Sequence, residues 1–439
     1  MNRLFETNKQ AMQRKLVVKQ KLLPLLKGRN HHPFFLLFYF LFGTVNGQLD
    51  QRSILKNIDS LIEMGIQKKA FPGAQILIYK KGRIALERSY GFHTYDSIVP
   101  VANHHLYDLA SVTKVLAGTL AFMKLYELYS IDLDRPVSEY TPFLKQSNKS
   151  KSTFREVLSH SAGWLPYLSH QNTVFKKNQR LKSRTLSPKK NKRFPFPLDD
   201  SLFVFKNYPK KIFRRIRRSP VDGIGNYRYS GLWFFLLPQL VTDLTGKSFE
   251  TFLNDMFYKP LGAERMEFLP RKHFPITEIV PTEIDTVFRK KLVHGWVHDE
   301  AAAMMGGISG NAGLFGNAVS ISKLLIMLLQ GGSIDGKMYL RPETIKRFTS
   351  KAYPDSNIRR GLGFDKPETD LKEGKTYPSQ NSAPSSYGHS GFTGTLVWVD
   401  PENDCVFIFL SNRVYPSRDQ RGIYDLNIRS QLLDFALEL

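Results

Sequence analysis

The stretch Leu109-Ala-Ser-Val-Thr-Lys-Val115 is the part of the sequence that decides the fold. Ser111 and Lys114 are three positions apart, and on a helix this spacing places both side chains on one face. A serine hydroxyl is a poor nucleophile near neutral pH and needs a nearby base to take its proton. Lysine can take this proton where its surroundings disfavour the ammonium form. The pair therefore predicts a nucleophilic serine with a lysine partner.

The Ser-x-x-Lys spacing alone is a weak signal, because it occurs elsewhere in the chain. The other pairs are Ser53/Lys56, Ser187/Lys190 and Ser320/Lys323. Only Ser111 follows a polar, turn-like approach and opens a long apolar helix that runs from Val115 to Leu125. A nucleophile at a helix N-terminus has backbone N–H groups and the positive end of the dipole beside the developing oxyanion. This context favours Ser111 over the other serines.

Two later motifs accompany the serine and lysine in the same order along the chain. Tyr229-Ser-Gly231 precedes an apolar helix, and its tyrosine suits a proton shuttle or supporting base, although a packed aromatic is the better interpretation of Tyr229 alone. His389-Ser-Gly391 precedes Phe392 and a strand. A small residue at a strand edge lets a substrate approach the backbone closely, and a neighbouring N–H can complete an oxyanion hole.

Taken in order, these motifs resemble those of the superfamily of class C β-lactamases, D-alanyl-D-alanine peptidases and esterases, which are penicillin-recognising serine hydrolases. The resemblance covers about residues 52–439. Further stretches that resemble the superfamily are Val157-Leu-Ser-His-Ser-Ala-Gly-Trp164, Gly310-Asn-Ala-Gly-Leu-Phe315, Gly388-His-Ser-Gly-Phe-Thr-Gly-Thr395 and Ser411-Asn-Arg-Val414. The resemblance implies a β-lactamase/transpeptidase-like fold and an acyl-enzyme mechanism without a cofactor.

The resemblance also implies a role for each motif residue. Ser111 would be the acylated nucleophile, and Lys114 the general base or its electrostatic support. Tyr229 would handle protons during acylation and deacylation. His389 would replace the lysine that is common at the first position of the third motif. The backbone N–H groups of Ser111 and Phe392 would form the oxyanion hole.

This sequence departs from the superfamily pattern at three positions. The second motif ends in Gly231, where relatives often have asparagine or aspartate to hold the lysine and the substrate amide. Asn311 stands where relatives often have histidine, and His389 weakens the expectation that a β-lactam carboxylate is recognised. These departures argue against β-lactam turnover and efficient peptide cleavage more than they argue against the fold.

Patterns at both chain ends predict an α+β fold. The predicted elements are a helix at 52–68, strands at 74–79 and 84–90, strands at 395–400 and 405–410, and a helix at 426–437. We therefore expect one antiparallel sheet built from both chain ends and flanked by helices, with a mostly helical middle region. The lone cysteine, Cys405, lies in an apolar run and is predicted to be a buried strand residue.

The N-terminus has the layout of an export signal. A basic stretch precedes the apolar run 34–42, and small and polar residues follow it. About ten apolar residues fit a signal-peptide core and are too few to span a bilayer comfortably. We therefore predict a signal peptide at 1–48, or alternatively an anchor at 34–45, followed by one catalytic domain at 49–439. The expected location is periplasmic or secreted.

The formal net charge of +24 is concentrated in two segments. Residues 1–32 contain eight Lys and Arg with one acid, and residues 171–218 contain sixteen with two acids. The segment 171–218 also has little periodicity before Phe203, so we interpret it as a basic insertion or long surface excursion. Contact with an anionic surface and a simple solvated loop are comparable interpretations, and no nucleic acid is expected as a partner.

These observations predict an exported serine hydrolase that cleaves an ester or amide, with small esters, D-amino-acid peptides or cell-wall fragments as substrates. The alternatives are a non-catalytic relative that binds cell-wall material and a basic protein that binds membranes or nucleic acid. The cluster His298-Asp-Glu300 lacks a second His or Cys at ligand spacing. We therefore predict no metal site there and interpret the cluster as a loop.

Overall fold

The computed structural model describes residues 34–178, 180–368 and 377–439, with side chains from Gln51 onward. Its strands are β1 (Gly73–Lys80), β2 (Arg83–Gly91), β3 (Tyr107–Asp108), β4 (Leu186–Ser187), β5 (Phe196–Pro197), β6 (Phe203–Val204), β7 (Met266–Phe268), β8 (Glu283–Asp285), β9 (Lys291–Val293), β10 (Leu314–Gly316), β11 (Ser333–Ile334), β12 (Lys337–Met338), β13 (Tyr387–Ser390), β14 (Leu396–Asp400) and β15 (Cys405–Ser411). The longest of these strands lie near the two chain ends, as the sequence predicts.

Its α-helices are α1 (Phe34–Gln67), α2 (Leu120–Tyr129), α3 (Val137–Tyr140), α4 (Phe154–Leu158), α5 (Tyr208–Arg218), α6 (Leu237–Thr245), α7 (Phe249–Leu253), α8 (Glu300–Met304), α9 (Ala318–Leu329), α10 (Pro342–Thr349), α11 (Gly422–Asp425) and α12 (Ile428–Glu438). Most of them lie between the terminal strands. Among the described residues, no helix has both the length and the apolar character needed to cross a membrane. The predicted signal peptide at 1–48 lies partly outside the described residues, and its export role stays a prediction.

One antiparallel sheet joins the two ends of the chain. Its strand order is β13-β14-β15-β1-β2, and the pairing of β1 with β15 places Ala74 opposite Ser411 and Lys80 opposite Cys405. β1 is buried along its whole length because it lies between β15 and β2. The predicted α+β fold, with one sheet built from both termini, is confirmed. The prediction that Cys405 is a buried strand residue is confirmed as well.

The sheet separates two apolar cores, and β1 contributes to both. Side chains alternate between the two faces of a strand. Ile76 and Ile78 therefore pack on one face with apolar residues of α1 and α12, including Ile62 and Leu432. Leu77 points to the opposite face, where α9 and the helical middle region form the larger core. This arrangement holds β13 and β14, and the loop between them, against the helical region that contains Ser111.

The basic segment 171–218 has more structure than an excursion over the surface. It contains a small sheet of order β4-β6-β5, followed by α5. Tyr208, Ile212 and Ile216 are four residues apart, so they share one face of α5, and all three are buried in the larger core. Lys210, Arg214 and Arg218 are exposed, whereas Lys211 and Arg215 are half-buried beside that face. The prediction of a surface excursion therefore holds for the exposed charged residues of this segment, whereas its apolar residues pack in the core.

Candidate active site

A strained turn precedes Ser111 and is held by several hydrogen bonds. Ala110 has a φ of +46°, a left-handed conformation that costs a non-glycine residue about 1–2 kcal/mol. The buried carboxylate of Asp108 accepts hydrogen bonds from the backbone N–H groups of Ala110 (2.8 Å) and His298 (2.6 Å). The backbone N–H of Leu109 donates to the carbonyl of Leu314 in β10 at 3.0 Å. These contacts fix the position of the serine that follows.

The side chains of Lys114 and Tyr229 converge on Ser111. Lys114 Nζ lies 3.0 Å from Ser111 Oγ, and the Tyr229 hydroxyl lies 3.2 Å from the same oxygen. A 3₁₀ turn at Ala110–Val112 and a π-helical turn at Lys114–Thr119 lead into α2, so the predicted long helix begins irregularly. Lys114 is almost fully buried, while Ser111 and Tyr229 are half-buried. The three predicted residues thus lie within hydrogen-bonding distance of one oxygen.

Lys114 is held without a side chain from the second motif. Its ammonium group donates a second hydrogen bond to the backbone carbonyl of Asn311 at 3.0 Å. A Cβ atom at Gly231 would lie 3.8 Å from the Cβ of Asn311 and 4.0 Å from Cε of Lys114, which are ordinary contacts. The position therefore has room for a Cβ atom. The backbone carbonyl of Asn311 holds Lys114 in this chain.

The loop between β13 and β14 is bonded to the turn before Ser111. Thr393 Oγ1 donates to the carbonyl of Asp108 at 2.8 Å, and Thr395 Oγ1 donates to the carbonyl of Leu109 at 3.2 Å. A Cβ at Gly391 would lie only 2.6 Å from the Leu109 carbonyl oxygen, so this close approach requires glycine. A side chain at position 391 would therefore clash with the turn before Ser111.

Phe392 follows Gly391 and lies at the surface beside the nucleophile loop. Its side chain is about half exposed, and its ring stacks on His298 with a centroid separation of 5.6 Å. Arg413 Nε donates to the Phe392 carbonyl at 2.8 Å, and the guanidinium lies over the Phe392 ring. Arg413 therefore fixes both the backbone and the ring of Phe392. The oxyanion role of the Phe392 N–H stays a prediction.

His389 lies behind Tyr229, with a ring-centroid separation of 6.0 Å. Its Nδ1 is 2.7 Å from the carbonyl oxygen of Ser390. Because a carbonyl only accepts hydrogen bonds, Nδ1 carries the proton and Nε2 carries a lone pair. Burial, together with the charges of Arg360 and Lys114, lowers the pKa of His389 to about 3. The ring is therefore neutral at physiological pH.

His160 packs on the opposite side of Tyr229, at a ring-centroid separation of 4.6 Å. The backbone N–H of Ser230 donates to His160 Nδ1 at 3.2 Å, so in the neutral ring the proton is on Nε2. Burial, with Arg360 and Lys114 as further causes, holds the pKa of His160 well below its ordinary value. Tyr229 is thus placed between two neutral histidines.

Sequence reasoning missed a buried ion pair beneath Tyr229. The Arg360 guanidinium lies 5.9 Å from the centroid of the Tyr229 ring, and its Nη1 is 2.9 Å from Asp365 Oδ1. Both residues are buried. Burial opposes ionisation of Asp365, but the charges of Arg360 and Arg359 outweigh it and hold the pKa of Asp365 below its ordinary value. No local motif marks this pair, and its contact with Tyr229 joins distant parts of the chain.

The structure also corrects the interpretation of His298-Asp-Glu300 as a loop. Asp299 is the N-cap of α8, where its side chain accepts a hydrogen bond from the backbone N–H of Ala302 at 2.7 Å. His298 Nε2 lies 2.7 Å from Glu283, which also pairs with Arg418. The loop prediction holds for His298 and Asp299, but Glu300 already begins α8, because the aspartate side chain caps that helix. Among the residues that the structure describes, no group of three or more His, Cys, Asp or Glu could hold a metal ion.

The other serine–lysine pairs have structural contacts instead. Ser187 Oγ donates to the carbonyl of Lys189, and Ser320 Oγ accepts from the backbone N–H of Arg265. The structure therefore brings together Ser111, Lys114 and Tyr229, with His389 behind the tyrosine. Gly391 and Phe392 lie in the loop that is bonded to the nucleophile turn.

Comparison with known sequences gives matches over most of the chain. A sequence model of the family described as Beta-lactamase matches residues 58–429. A protein of Salmonella agona (strain SL483), provisionally named D-alanyl-D-alanine carboxypeptidase, is 28% identical over 388 aligned residues, which cover 82% of this chain and 82% of that protein.

Three solved structures share the fold at low sequence identity. EstCE1, a hydrolase with promiscuous acyltransferase activity, has a TM-score of 0.63 at 17% identity and covers 88% of this chain and 99% of its own. A class C β-lactamase has a TM-score of 0.61 at 17% identity, with 88% and 98% covered. A penicillin-binding protein homologue from Caulobacter crescentus has a TM-score of 0.60 at 16% identity, with 87% and 97% covered.

Proposed function

This chain belongs to the β-lactamase family and is a serine hydrolase, and we propose that it cleaves an ester or amide through an acyl-enzyme on Ser111. The convergence of Lys114 Nζ and the Tyr229 hydroxyl on Ser111 Oγ carries this proposal. Both groups lie within the distance over which a positioned side chain can transfer a proton. Small esters, D-amino-acid peptides and cell-wall fragments are the candidate substrates.

In the acylation step, Ser111 Oγ forms a bond to the substrate carbonyl carbon while its proton passes to Lys114 or Tyr229. Collapse of the tetrahedral intermediate breaks the bond to the leaving oxygen or nitrogen, which takes up that proton. A water molecule then attacks the acyl carbon and gives its proton to the same group. The ester bond to Ser111 breaks, and the serine oxygen recovers a proton.

Covalent labelling tests this mechanism. The mature chain is incubated with a fluorophosphonate, and its intact mass is measured before and after. We expect one adduct on the wild-type chain and none on the Ser111→Ala variant, with both proteins shown to be folded by circular dichroism. Absence of an adduct on the folded wild-type chain would instead support the non-catalytic relative that binds cell-wall material.

We also propose that the chain is exported, as the basic stretch and the apolar run at 34–42 favour. Residues 1–48 fused to a reporter enzyme that is active only outside the cytoplasm would test this. Reporter activity with residues 1–48 and none without them is expected. An inactive but stable fusion would contradict export by this segment.

A groove beside α5 favours contact with an anionic surface as a second property of the chain. The groove has a volume of about 750 Å³ and is lined by Pro142, Phe143, Lys145, Gln146, Lys210, Phe213, Arg214, Arg217 and Gln239. Its charged lining residues are all cations, and two stacked phenylalanines lie on one side. We propose that these cations contact anionic phospholipids at a membrane surface.

Vesicle binding tests this second proposal. Deleting 171–218 would remove buried core residues, so charge reversal is the cleaner change. The double variant Lys210→Glu/Arg214→Glu should lose salt-sensitive sedimentation with phosphatidylglycerol vesicles. The control Lys189→Glu/Lys190→Glu makes the same change of charge outside the groove and should lose less. Equal loss in both variants would mean that net charge, and not the groove, controls binding.

A further inference from the structure

The cations around the nucleophile are already occupied by acceptors of the protein. Two cations act electrostatically on His389, namely Arg360 and Lys114. Arg360 is almost fully buried and is bonded to Asp365 and to the carbonyl of Gly363. Lys114 is bonded to Ser111 and to the carbonyl of Asn311. To accept the serine proton it must enter the reaction as a neutral amine, and it gains a positive charge only in that step. Within the described residues, neither cation is free to pair with a substrate anion.

Arg413, the cation beside Phe392, is occupied in the same way. Its guanidinium donates to the carbonyls of Phe392, Arg418 and Gln420 at 2.7–2.9 Å. Since its side chain is also buried against the Phe392 ring, an anion cannot pair with it without breaking these bonds. Around Phe392 the site therefore presents an exposed aromatic ring and backbone carbonyls that already accept hydrogen bonds from Arg413.

His389 cannot supply the missing charge. Its ring is neutral, and its one proton is used in the bond from Nδ1 to the Ser390 carbonyl. The remaining nitrogen, Nε2, has no hydrogen-bond partner among the described residues and carries a lone pair. A lone pair repels a carboxylate and can only accept a hydrogen bond. The carboxylate of Asp365 lies close enough to act on His389 as well. The groups behind Tyr229 therefore offer no site for an anion.

The pairing of these cations within the protein distinguishes substrates that carry a carboxylate next to the scissile bond from substrates that do not. In a peptide that ends in D-alanine, the terminal carboxylate carbon is three bonds from the scissile carbonyl carbon, so it lies within about 4 Å of it. A carboxylate at that distance needs a cation or several donors, because burying an unpaired charge is costly. We propose, on the premise of the Ser111 acyl-enzyme, that the site selects esters and amides whose leaving group carries no carboxylate next to the scissile bond. The preferred class is thus neutral esters and internal or amidated peptides.

A matched pair of esters tests this selectivity. N-acetyl-D-alanyl-D-lactate carries a carboxylate beside the scissile ester, and N-acetyl-D-alanyl-D-lactamide carries a neutral carboxamide at the same place. We expect kcat/KM of the full chain to be at least about tenfold higher for the lactamide. A ratio of one or below overturns the proposal.

Substitution of His389 provides a second test of this selectivity. His389→Lys places an ammonium group beside Tyr229, and we expect it to lower the lactamide-to-lactate ratio at least about tenfold. The control His104→Lys makes the same substitution at an exposed histidine outside the site and should leave the ratio unchanged. An unchanged ratio in a folded His389→Lys variant would contradict the proposal. If that variant fails to fold, the lactamide-to-lactate ratio of the wild-type chain still tests the proposed selectivity.

The pH dependence of the same ratio is a further check. The charged or titratable groups around His389 include Arg360, Lys114, Asp365, His160 and Tyr229, and its pKa is lowered to about 3, mainly by burial. The ratio should therefore stay constant between about pH 5 and about pH 8. A relative gain for the lactate ester toward the acidic end would show that His389 becomes a cation, which contradicts the proposal.

Hydrolysis of p-nitrophenyl acetate separates the two possible failures. This ester has no carboxylate, so its turnover depends on Ser111 and not on the selectivity proposed here. If the chain hydrolyses it and the Ser111→Ala variant does not, an unfavourable ester ratio overturns only the selectivity. Turnover that persists in Ser111→Ala would contradict the proposed function itself.

Discussion

The pocket around Ser111 and the outer face of α5 both contain several cations, but these cations differ in their partners. In the pocket, Lys114 and Arg360 are buried and bonded to acceptors of the protein. On α5, Lys210 and Arg214 are exposed, and no ion pair joins either of them to a carboxylate of the described residues. The first set of cations organises the interior, and the second set faces outward.

This difference shows why a net charge of +24 says little about the chemistry of the site. Exposed charges act through a field that salt screens within about 8–10 Å. A buried cation acts over a few ångströms on the groups it touches, and its effect depends on its partner. The same residue type is thus buried and bonded in one region and exposed to solvent in the other.

Removal of the pocket lysine should give the largest effect. Lys114→Ala deletes the group that lies 3.0 Å from Ser111 Oγ, and we expect kcat/KM for p-nitrophenyl acetate to fall by about 10²–10⁴-fold. The comparison is with Lys210→Ala on α5, which should change this value by less than about twofold. A loss of less than tenfold in Lys114→Ala would argue against its role as a base.

Breaking the buried ion pair should cost several kcal/mol of stability. Asp365→Asn leaves the Arg360 guanidinium without its counter-charge, and the free energy of unfolding should fall by about 3–5 kcal/mol. Denaturant unfolding of the purified chain measures this change. Asp255→Asn, which breaks the exposed pair with Lys247, should cost no more than about 1 kcal/mol. Similar losses in both variants would remove the distinction between buried and exposed pairs.

Acid should destabilise the chain through a second buried pair outside the pocket. His93 Nε2 and His105 Nδ1 are 2.8 Å apart, and burial lowers both pKa values to about 4. Below about pH 6.5 the unfolded chain takes up protons that the folded chain does not, so stability is lost as the pH falls toward 4. The loss is at most about 1.4 kcal/mol per pH unit for each histidine.

Thermal unfolding of variants isolates this contribution from the carboxylates. His105→Gln removes one partner and should flatten the dependence of Tm on pH between about pH 6.5 and about pH 4.5. His104→Gln changes the exposed neighbour, whose charge contributes less than burial to the lowered pKa of His105, and should flatten the slope less than His105→Gln does. The histidine pair is not the acid-sensitive element if both variants retain the wild-type slope.

The smallest effect is expected for the outward cations of α5. Arg214→Glu should change the free energy of unfolding by less than about 0.5 kcal/mol, because the side chain is exposed and pairs with no carboxylate of the described residues. Chemical denaturation against the wild type measures the difference. A loss above about 2 kcal/mol would mean that Arg214 has a structural role after all.

The elements with local signals could be predicted from the sequence. The short apolar runs of β1 and β15 near the two chain ends predicted one sheet built from both termini. The motif order placed Ser111, Lys114 and Tyr229 in one site. The spacing of Tyr208, Ile212 and Ile216 was also a readable signal for a buried helix face, but the cations around it obscured the pattern.

The rest depends on contacts between distant residues. Arg360 and Asp365 are near each other in sequence, but Tyr229 is distant in sequence and only the fold brings Arg360 to 5.9 Å from its ring centroid. The tautomer of His389 depends on a hydrogen bond to the backbone carbonyl of Ser390, and no local sequence pattern predicts this bond. Gly231 suggested a weakened site, and only the position of the Asn311 backbone shows how Lys114 is held without it.

The central place of β1 in the sheet has a consequence for biosynthesis. β1 emerges from the ribosome long before its partner β15, since Ala74 pairs with Ser411. Until then, one edge of β1 presents unpaired N–H and C=O groups that can template aggregation. The loop that clamps the nucleophile turn is also made late, so a nascent chain cannot assemble the site. The active site therefore cannot form until β13, β14 and β15 have been made, and the unpaired edge of β1 remains exposed until then.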